Sequence, residues 1–261
     1  MERLRAAVLL AGFVLATLLL IPLQWLFLRL KSPWARHLPV LYHRWLCGWL
    51  GIAIKVSGAP ASKQGVLFLS NHTSYFDILI LSTVQPVAFV AKREVASWPF
   101  FGLLAKLQRT VFVERERRTK TLVHRDEMAL RLTGGDNLVL FPEGTSNDGN
   151  VILPFKSALI GVAELALKAK GDAPVVVQPV SLSYRRLHGL PMGRQYRPFF
   201  AWYGDMELVT HLWDALCLGP IEVQVTYHPP IDQAQSASRK AIAVYCHRVI
   251  GNGIAESLAA R

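Results

Sequence analysis

Between Ala6 and Leu28 the chain carries no charged side chain, and Arg3, Arg5, Arg29 and Lys31 flank this run. A stretch of that length and apolarity matches the hydrocarbon thickness of a bilayer, where only a helix satisfies its own backbone. No small-x-small cleavage site closes the run, which argues against a signal peptide. Pro22 and Gln24 interrupt it, and basic residues at both ends leave the positive-inside rule without a direction. The expectation is a membrane-embedded helix, with a re-entrant or half-crossing course favoured over a clean span. The next segment extends the pattern. Leu38, Leu41, Trp45, Trp49 and Ile52 recur at helical spacing, while Arg36, His37, His43 and Arg44 are polar. Tryptophans so placed settle at the headgroup level; the competing reading is an ordinary amphipathic core helix. Residues 1–58 are therefore read as membrane-associated helices and 59–261 as a separate domain.

The bulk composition leads the same way. Hydrophobic residues make up 52% of the 261-residue chain, and 29 Lys and Arg against 18 Asp and Glu give a formal charge of +11. A basic, apolar-rich chain has two usual partners, nucleic acid and an anionic membrane surface. No nucleic-acid recognition motif is present, so membrane lipids are the expected partner and nucleic acid is not. Cys47, Cys217 and Cys246 are scattered and odd in number, which indicates a reducing compartment and buried small hydrophobes rather than disulfides or a thiolate zinc site. The eight histidines form no His-Glu-x-x-His, so no metal site is expected.

Beyond residue 60, short apolar runs alternate with helical stretches, the pattern of an α/β fold with a central sheet flanked by helices. Strands are predicted at 65–70, 87–91, 110–113, 137–141, 175–184 and 221–227. Helices are predicted from about 76 to 82, 94 to 108, 119 to 132 (stopped by Gly134-Gly135), 156 to 170, and from about 237 onward. The apolar stretch from Trp202 to Leu218 fits a second membrane-contacting helix and a core helix equally well.

Polar residues collect where predicted strands end, which is where open α/β sheets place their sites. After the first comes Asn71-His72-Thr73-Ser74-Tyr75-Phe76-Asp77. On one continuous helix, positions five apart point about 140° from each other at roughly 3.6 residues per turn. His72 must therefore precede the helix if its ring is to reach Asp77, and the pair then forms a base with its orienting acid. Lys92-Arg93, Arg115 and Phe141-Pro142-Glu143-Gly144-Thr145 follow the next three strands. Singly, each is more often structural: a core His–Asp contact, a solvated arginine, a turn carboxylate.

In this order and spacing, these blocks resemble the glycerolipid acyltransferases of the bacterial 1-acylglycerol-3-phosphate acyltransferase type. The resemblance covers roughly 65 to 185 and includes Asn-His-x4-Asp at 71–77, Val111-Phe112-Val113-Glu114-Arg115, Phe141 to Thr145 with Leu153-Pro154-Phe155-Lys156, and Val176-Val177-Gln178-Pro179-Val180. It implies the mixed sheet of that family, a catalytic domain over 59–261, and transfer of a fatty acyl group from acyl-CoA or acyl carrier protein to a lysolipid hydroxyl. No cofactor is implied beyond that thioester co-substrate. His72 would be the general base and Asp77 its positioning acid; Lys92 and Arg115 would bind acceptor phosphate; Glu143, Gly144 and Thr145 would shape the acceptor site, with Glu143 bonding a glycerol hydroxyl. No Gly-x-Ser-x-Gly elbow supplies a serine nucleophile. Phospholipid biosynthesis at the inner membrane, with the site on the cytoplasmic side, is the implied setting. One departure stands out. Many members follow Glu-Gly-Thr with an arginine, whereas Ser146-Asn147-Asp148 stands here. Lysophosphatidic acid is the first acceptor expected, a lyso-aminolipid such as lyso-ornithine lipid the alternative, and a non-catalytic lipid-binding protein the reading from another class.

Overall fold

A computed structural model describes residues 1–61, 65–114, 118–161, 175–231 and 238–260, with side chains 118–125 left out. Two long helices come first, α1 (Glu2–Arg29) and α2 (Trp34–Leu50). α1 is continuous through Pro22, is long and apolar enough to cross a bilayer, and has only 11% of its apolar window buried, all of which suggests membrane association. Trp25, Leu30, Trp34, Trp45 and Trp49 are exposed along the hairpin that α1 makes with α2. The two helices touch closely at Gly12, where a Cβ would stand 2.5 Å from the Trp49 ring. Trp49 Nε1 donates to the Leu9 carbonyl at 3.0 Å.

Gly51, at φ 77°, ends α2 in the left-handed conformation that favours glycine, and the chain turns directly into β1 (Ile52–Ser57). The helical spacing of Leu38 to Ile52 hides this strand. Its own signal, the alternation of Ile52, Ile54 and Val56, is shorter than the periodic run it follows. The remaining elements are β2 (Val66–Ser70), α3 (Phe76–Leu81), β3 (Ala88–Lys92), α4 (Phe101–Leu107), β4 (Val111–Val113), α5 (Arg118–Thr133), β5 (Leu138–Leu140), β6 (Val176–Leu187), β7 (Leu190–Pro191), α6 (Leu208–Leu218), β8 (Ile221–Tyr227) and α7 (Arg239–Ala259). Strand order is β1-β8-β6-β2-β5-β3-β4, with β7 paired to β6. β6 runs antiparallel to β8 and β7, and the other pairs are parallel, so the sheet is mixed as expected.

One predicted helix is not continuous. Over 94–108 the chain forms a 3-10 turn (Arg93–Ser97), breaks, and resumes as α4. Pro99 lacks an amide hydrogen and disfavours helical geometry in the residue before it, and Phe100 takes φ 60°. The predicted helix over 156–170 lies largely outside the described residues.

Alternation along the strands sends side chains to two cores. Phe68, Val180, Leu182, Val223 and Val225 pack with Leu46, Phe76, Ile80 and Leu216 beneath α2, α3 and α6. Leu67, Leu69 and Val177 pack with Leu132, Ile242, Cys246 and Ile250 beneath α5 and α7. Every residue of β2 is buried, which suits a central parallel strand covered on both faces. α6 is packed against the fold through Ala215 and Leu216 and against α1, where Arg5 Nη2 donates to the carbonyls of Leu216 (2.7 Å) and Cys217 (3.2 Å). That guanidinium sits at the negative end of the helix. Cys47 and Cys246 are buried and all three cysteines are free thiols.

Candidate active site

The site begins with Asn71, which continues the β2–β6 ladder past the end of β2. Its amide nitrogen donates to the Leu182 carbonyl (2.9 Å) and its oxygen accepts from the Leu182 N–H (2.8 Å). This anchors the loop that carries His72 ahead of α3, the placement that the spacing required. His72 Nδ1 lies 2.9 Å from Asp77 Oδ2. Asp77, in the first turn of α3, is fully buried. Its Oδ2 also accepts from the N–H groups of Thr73 (2.7 Å) and Ser74 (3.0 Å), and its Oδ1 accepts from the Tyr184 hydroxyl (2.8 Å). These partners on both oxygens hold the carboxylate in one orientation. Burial and the neighbouring Asp77 charge push the Tyr184 hydroxyl well above its ordinary pKa, so it remains a donor. An Nδ1–H given to Asp77 leaves Nε2 with the lone pair. The imidazole, whose side chain is 20% exposed, stacks on Phe141 at 4.1 Å between centroids.

Behind His72 lies a second buried carboxylate. Glu143, 1% exposed, accepts the His72 N–H at Oε1 (2.8 Å) and takes the Leu153 N–H (2.8 Å) and the Asn147 amide (2.7 Å) at Oε2. Burial pushes its carboxyl upward against the pull of these donors. Both oxygens are engaged with the protein, so the carboxylate holds the loop under the histidine; the acceptor hydroxyl that the resemblance implies at Glu143 would add to these bonds. Gly144, buried at φ 77°, closes the turn through its N–H to the Phe141 carbonyl (3.1 Å), while Thr145 is exposed. The Ser146 hydroxyl donates to the Trp202 carbonyl, and the Trp202 N–H donates to the Thr73 carbonyl (3.0 Å).

Lys92 ends β3 on the same edge of the sheet and is exposed; Arg93 beside it approaches Glu114 at 3.5 Å. Arg115 lies outside the described residues. Tyr184 and Trp202 form part of the site although no motif marks them, because their partners stand far away in the sequence. An apolar cavity of about 220 Å³ adjoins the site, between the α1–α2 hairpin and the sheet, and is lined by Phe13, Ile21, Leu46, Tyr75, Leu104 and Leu212 among others. Among the described residues no cluster of three or more His, Cys, Asp and Glu side chains could hold a metal ion.

A family model described as Acyltransferase matches residues 53–183, from β1 into β6. The chain belongs to this family. It is 48% identical over 233 residues to the lyso-ornithine lipid O-acyltransferase of Brucella abortus, covering 89% of this chain and 87% of that one. To the 1-acyl-sn-glycerol-3-phosphate acyltransferase of Neisseria gonorrhoeae it is 34% identical over 184 residues, covering 70% and 67%. The fold matches the crystal structure of the 1-acyl-sn-glycerophosphate acyltransferase of Thermotoga maritima with a TM-score of 0.70, over 100% of this chain and 99% of that one, at 23% identity. The resemblance carried by His72, Asp77 and the downstream blocks, the mixed sheet and the acyltransferase class all agree with these findings.

Proposed function

We propose that this acyltransferase esterifies the free hydroxyl of lyso-ornithine lipid, at the membrane face where cytosolic acyl thioesters arrive. The observation carrying the choice of acceptor is the match to the Brucella enzyme along nearly the whole chain. Ser146-Asn147-Asp148, in place of the arginine that the resemblance implies after Glu143-Gly144-Thr145, supports it. The acceptor oxygen attacks the thioester carbonyl carbon while His72 Nε2 takes its proton. The tetrahedral intermediate collapses, the C–S bond breaks, and the imidazolium returns the proton to the departing thiolate. Asp77 holds the ring in the tautomer this requires and stabilises the imidazolium. The apolar cavity is the place for an acyl chain, and coenzyme A or acyl carrier protein is the donor carrier. Lys92 and Arg115 are assigned to phosphate or carboxylate groups of the substrates.

Lysophosphatidic acid is the second reading, supported by the shorter match to the Neisseria enzyme. The two are separated by parallel assays of detergent-solubilised protein, each acceptor with acyl-CoA and with acyl carrier protein. The expected result is a higher kcat/KM with lyso-ornithine lipid. Preference for lysophosphatidic acid reverses the assignment, and binding without turnover of either supports a non-catalytic lipid binder.

A further inference from the structure

The loop at 147–150 and the turn at 193–197 meet beside the His72 loop. Asn147 donates to the His72 carbonyl (3.2 Å) and its side-chain oxygen accepts the Gly149 N–H (2.8 Å). A Cβ on Gly149 would stand 3.1 Å from Thr73 Cγ2 and 3.4 Å from Arg197 Cβ, so the loop is seated directly on the residue after His72. Two opposite charges share one amide on this platform. Asn150 Nδ2 donates to Asp148 Oδ2 (3.2 Å), and Asn150 Oδ1 accepts from Arg197 Nη1 (2.9 Å). The arrangement is tied from several sides: the Asn150 N–H donates to Asp148 Oδ1 (2.9 Å), Asn150 Nδ2 to the Arg194 carbonyl (3.1 Å), and Arg197 Nη2 to the Met192 carbonyl (3.5 Å). Both charged residues are half-buried, and Arg197 Nε finds no hydrogen-bond partner among the described residues. Nε is buried, but Nη1 and Nη2 each carry a second N–H beyond the bond they make, next to an acid held off by an amide.

We propose that Asp148 and Arg197, spaced by Asn150, select a zwitterionic amino-acid head group: Arg197 takes its carboxylate and Asp148 its ammonium. The inference rests on the lyso-ornithine lipid reading and adds the residues that choose it. An N-acylated ornithine keeps one carboxylate and one side-chain ammonium, a few carbon atoms apart. A carboxylate and a guanidinium joined through one amide present the complementary charges. Lysophosphatidic acid offers a phosphate and no cation, so Asp148 repels it, which is specificity by exclusion as well as attraction. The guanidinium plane suits a carboxylate, which it binds with two parallel N–H groups. The site also lies beside the His72 loop, since Gly149 between Asp148 and Asn150 packs on Thr73.

The test crosses protein variants with capped substrates. Wild type, Asp148→Asn and Arg197→Gln are each assayed for kcat/KM on lyso-ornithine lipid, on the lipid with its side-chain amine acetylated, and on the lipid with its carboxylate methylated. The asparagine keeps an acceptor for the Asn150 N–H, and thermal melts check that both variants fold. Wild type is expected to prefer the free amine and the free carboxylate by about ten-fold each, as for a charge-assisted hydrogen bond in a half-buried site. Asp148→Asn should lose the first preference alone, and Arg197→Gln the second alone. Undiminished preferences in the variants, or indifference of the wild type to either cap, overturn the subsite while the acceptor reading stands. A wild type that ignores lyso-ornithine lipid altogether overturns both, and the uncapped substrate distinguishes the two failures.

Discussion

In the proposed mechanism His72 acts only in the position that its neighbours impose. Its ring is held by Asp77 at Nδ1, its amide by Glu143, and its face by Phe141. Replacing it with alanine removes the base and leaves these supports intact, so kcat should fall by roughly 10²–10⁴-fold while membrane association persists; thioester consumption and vesicle flotation measure the two. Wild-type turnover in His72→Ala would remove the mechanism. Tyr184→Phe isolates a subtler contribution. It keeps the ring and deletes the hydroxyl that donates to Asp77 Oδ1, leaving a buried carboxylate oxygen short of a donor. A loss of about 1–3 kcal/mol in denaturant unfolding is expected, with a smaller fall in kcat than in His72→Ala, because the contacts to Oδ2 survive. The His72–Asp77 pair was legible in the sequence because both partners lie within one turn-and-helix unit. Tyr184 was not, because its hydroxyl reaches Asp77 across 107 positions and only the β2–β6 pairing brings it there.

Between elements, one contact closes the hairpin and another ties it to the sheet. Gly12 lets α1 lie against the Trp49 ring of α2, and Gly12→Leu overpacks that crossing. A destabilisation of about 1–3 kcal/mol should appear as an earlier thermal transition in detergent, with altered tryptophan fluorescence; an unchanged melt would mean that the helices separate freely. On the other flank, Asp136 precedes β5 and binds Arg36 of α2 (2.9 Å), Arg109 (2.7 Å) and Arg131 of α5 (2.9 Å). Burial alone pushes the Asp136 carboxyl up, and the hydrogen bonds and charges of Arg131 and Arg109 outweigh it, leaving the group below its ordinary 3.8. A carboxylate depressed on folding adds stability above its unfolded pKa and loses it as pH falls through the folded value. Asp136→Asn should therefore be less stable than wild type at neutral pH, with the gap closing as the pH drops below 3.8. A gap independent of pH across that window would assign the effect to packing. The helix end at Gly134 was readable from residue type, whereas the one at Gly51 was hidden by apolar spacing that runs on to Ile52. The break at Pro99 was carried by the sequence as well, but the apolar spacing around it outweighed a single residue in the reading.

For the whole molecule, charge and apolar surface act together. A formal charge of +11 beside an exposed apolar helix predicts binding to vesicles that strengthens with anionic lipid and weakens with salt, without vanishing at high salt. Flotation across a salt series measures both components; a salt-independent profile would reduce the basic surface to a solvated coat. The same surfaces enclose the apolar cavity, which has α1 and α2 as one wall and the sheet's own helices as the other. An acyl chain in that cavity would touch both parts of the molecule, and the hairpin would then serve the proposed chemistry as well as membrane association.

Local physics was enough for the membrane-seeking helix, the alternation that makes an α/β sheet, and the histidine that must precede its helix to reach the aspartate. Each of these depends on residues close along the chain, whose periodicity and capping speak for themselves. Strand order is a different matter, because it pairs segments by total burial rather than by any local preference. It set β1 beside β8 and Tyr184 beside Asp77. It also set Glu143 as a brace beneath His72, and brought Asp148 and Arg197 together around one asparagine.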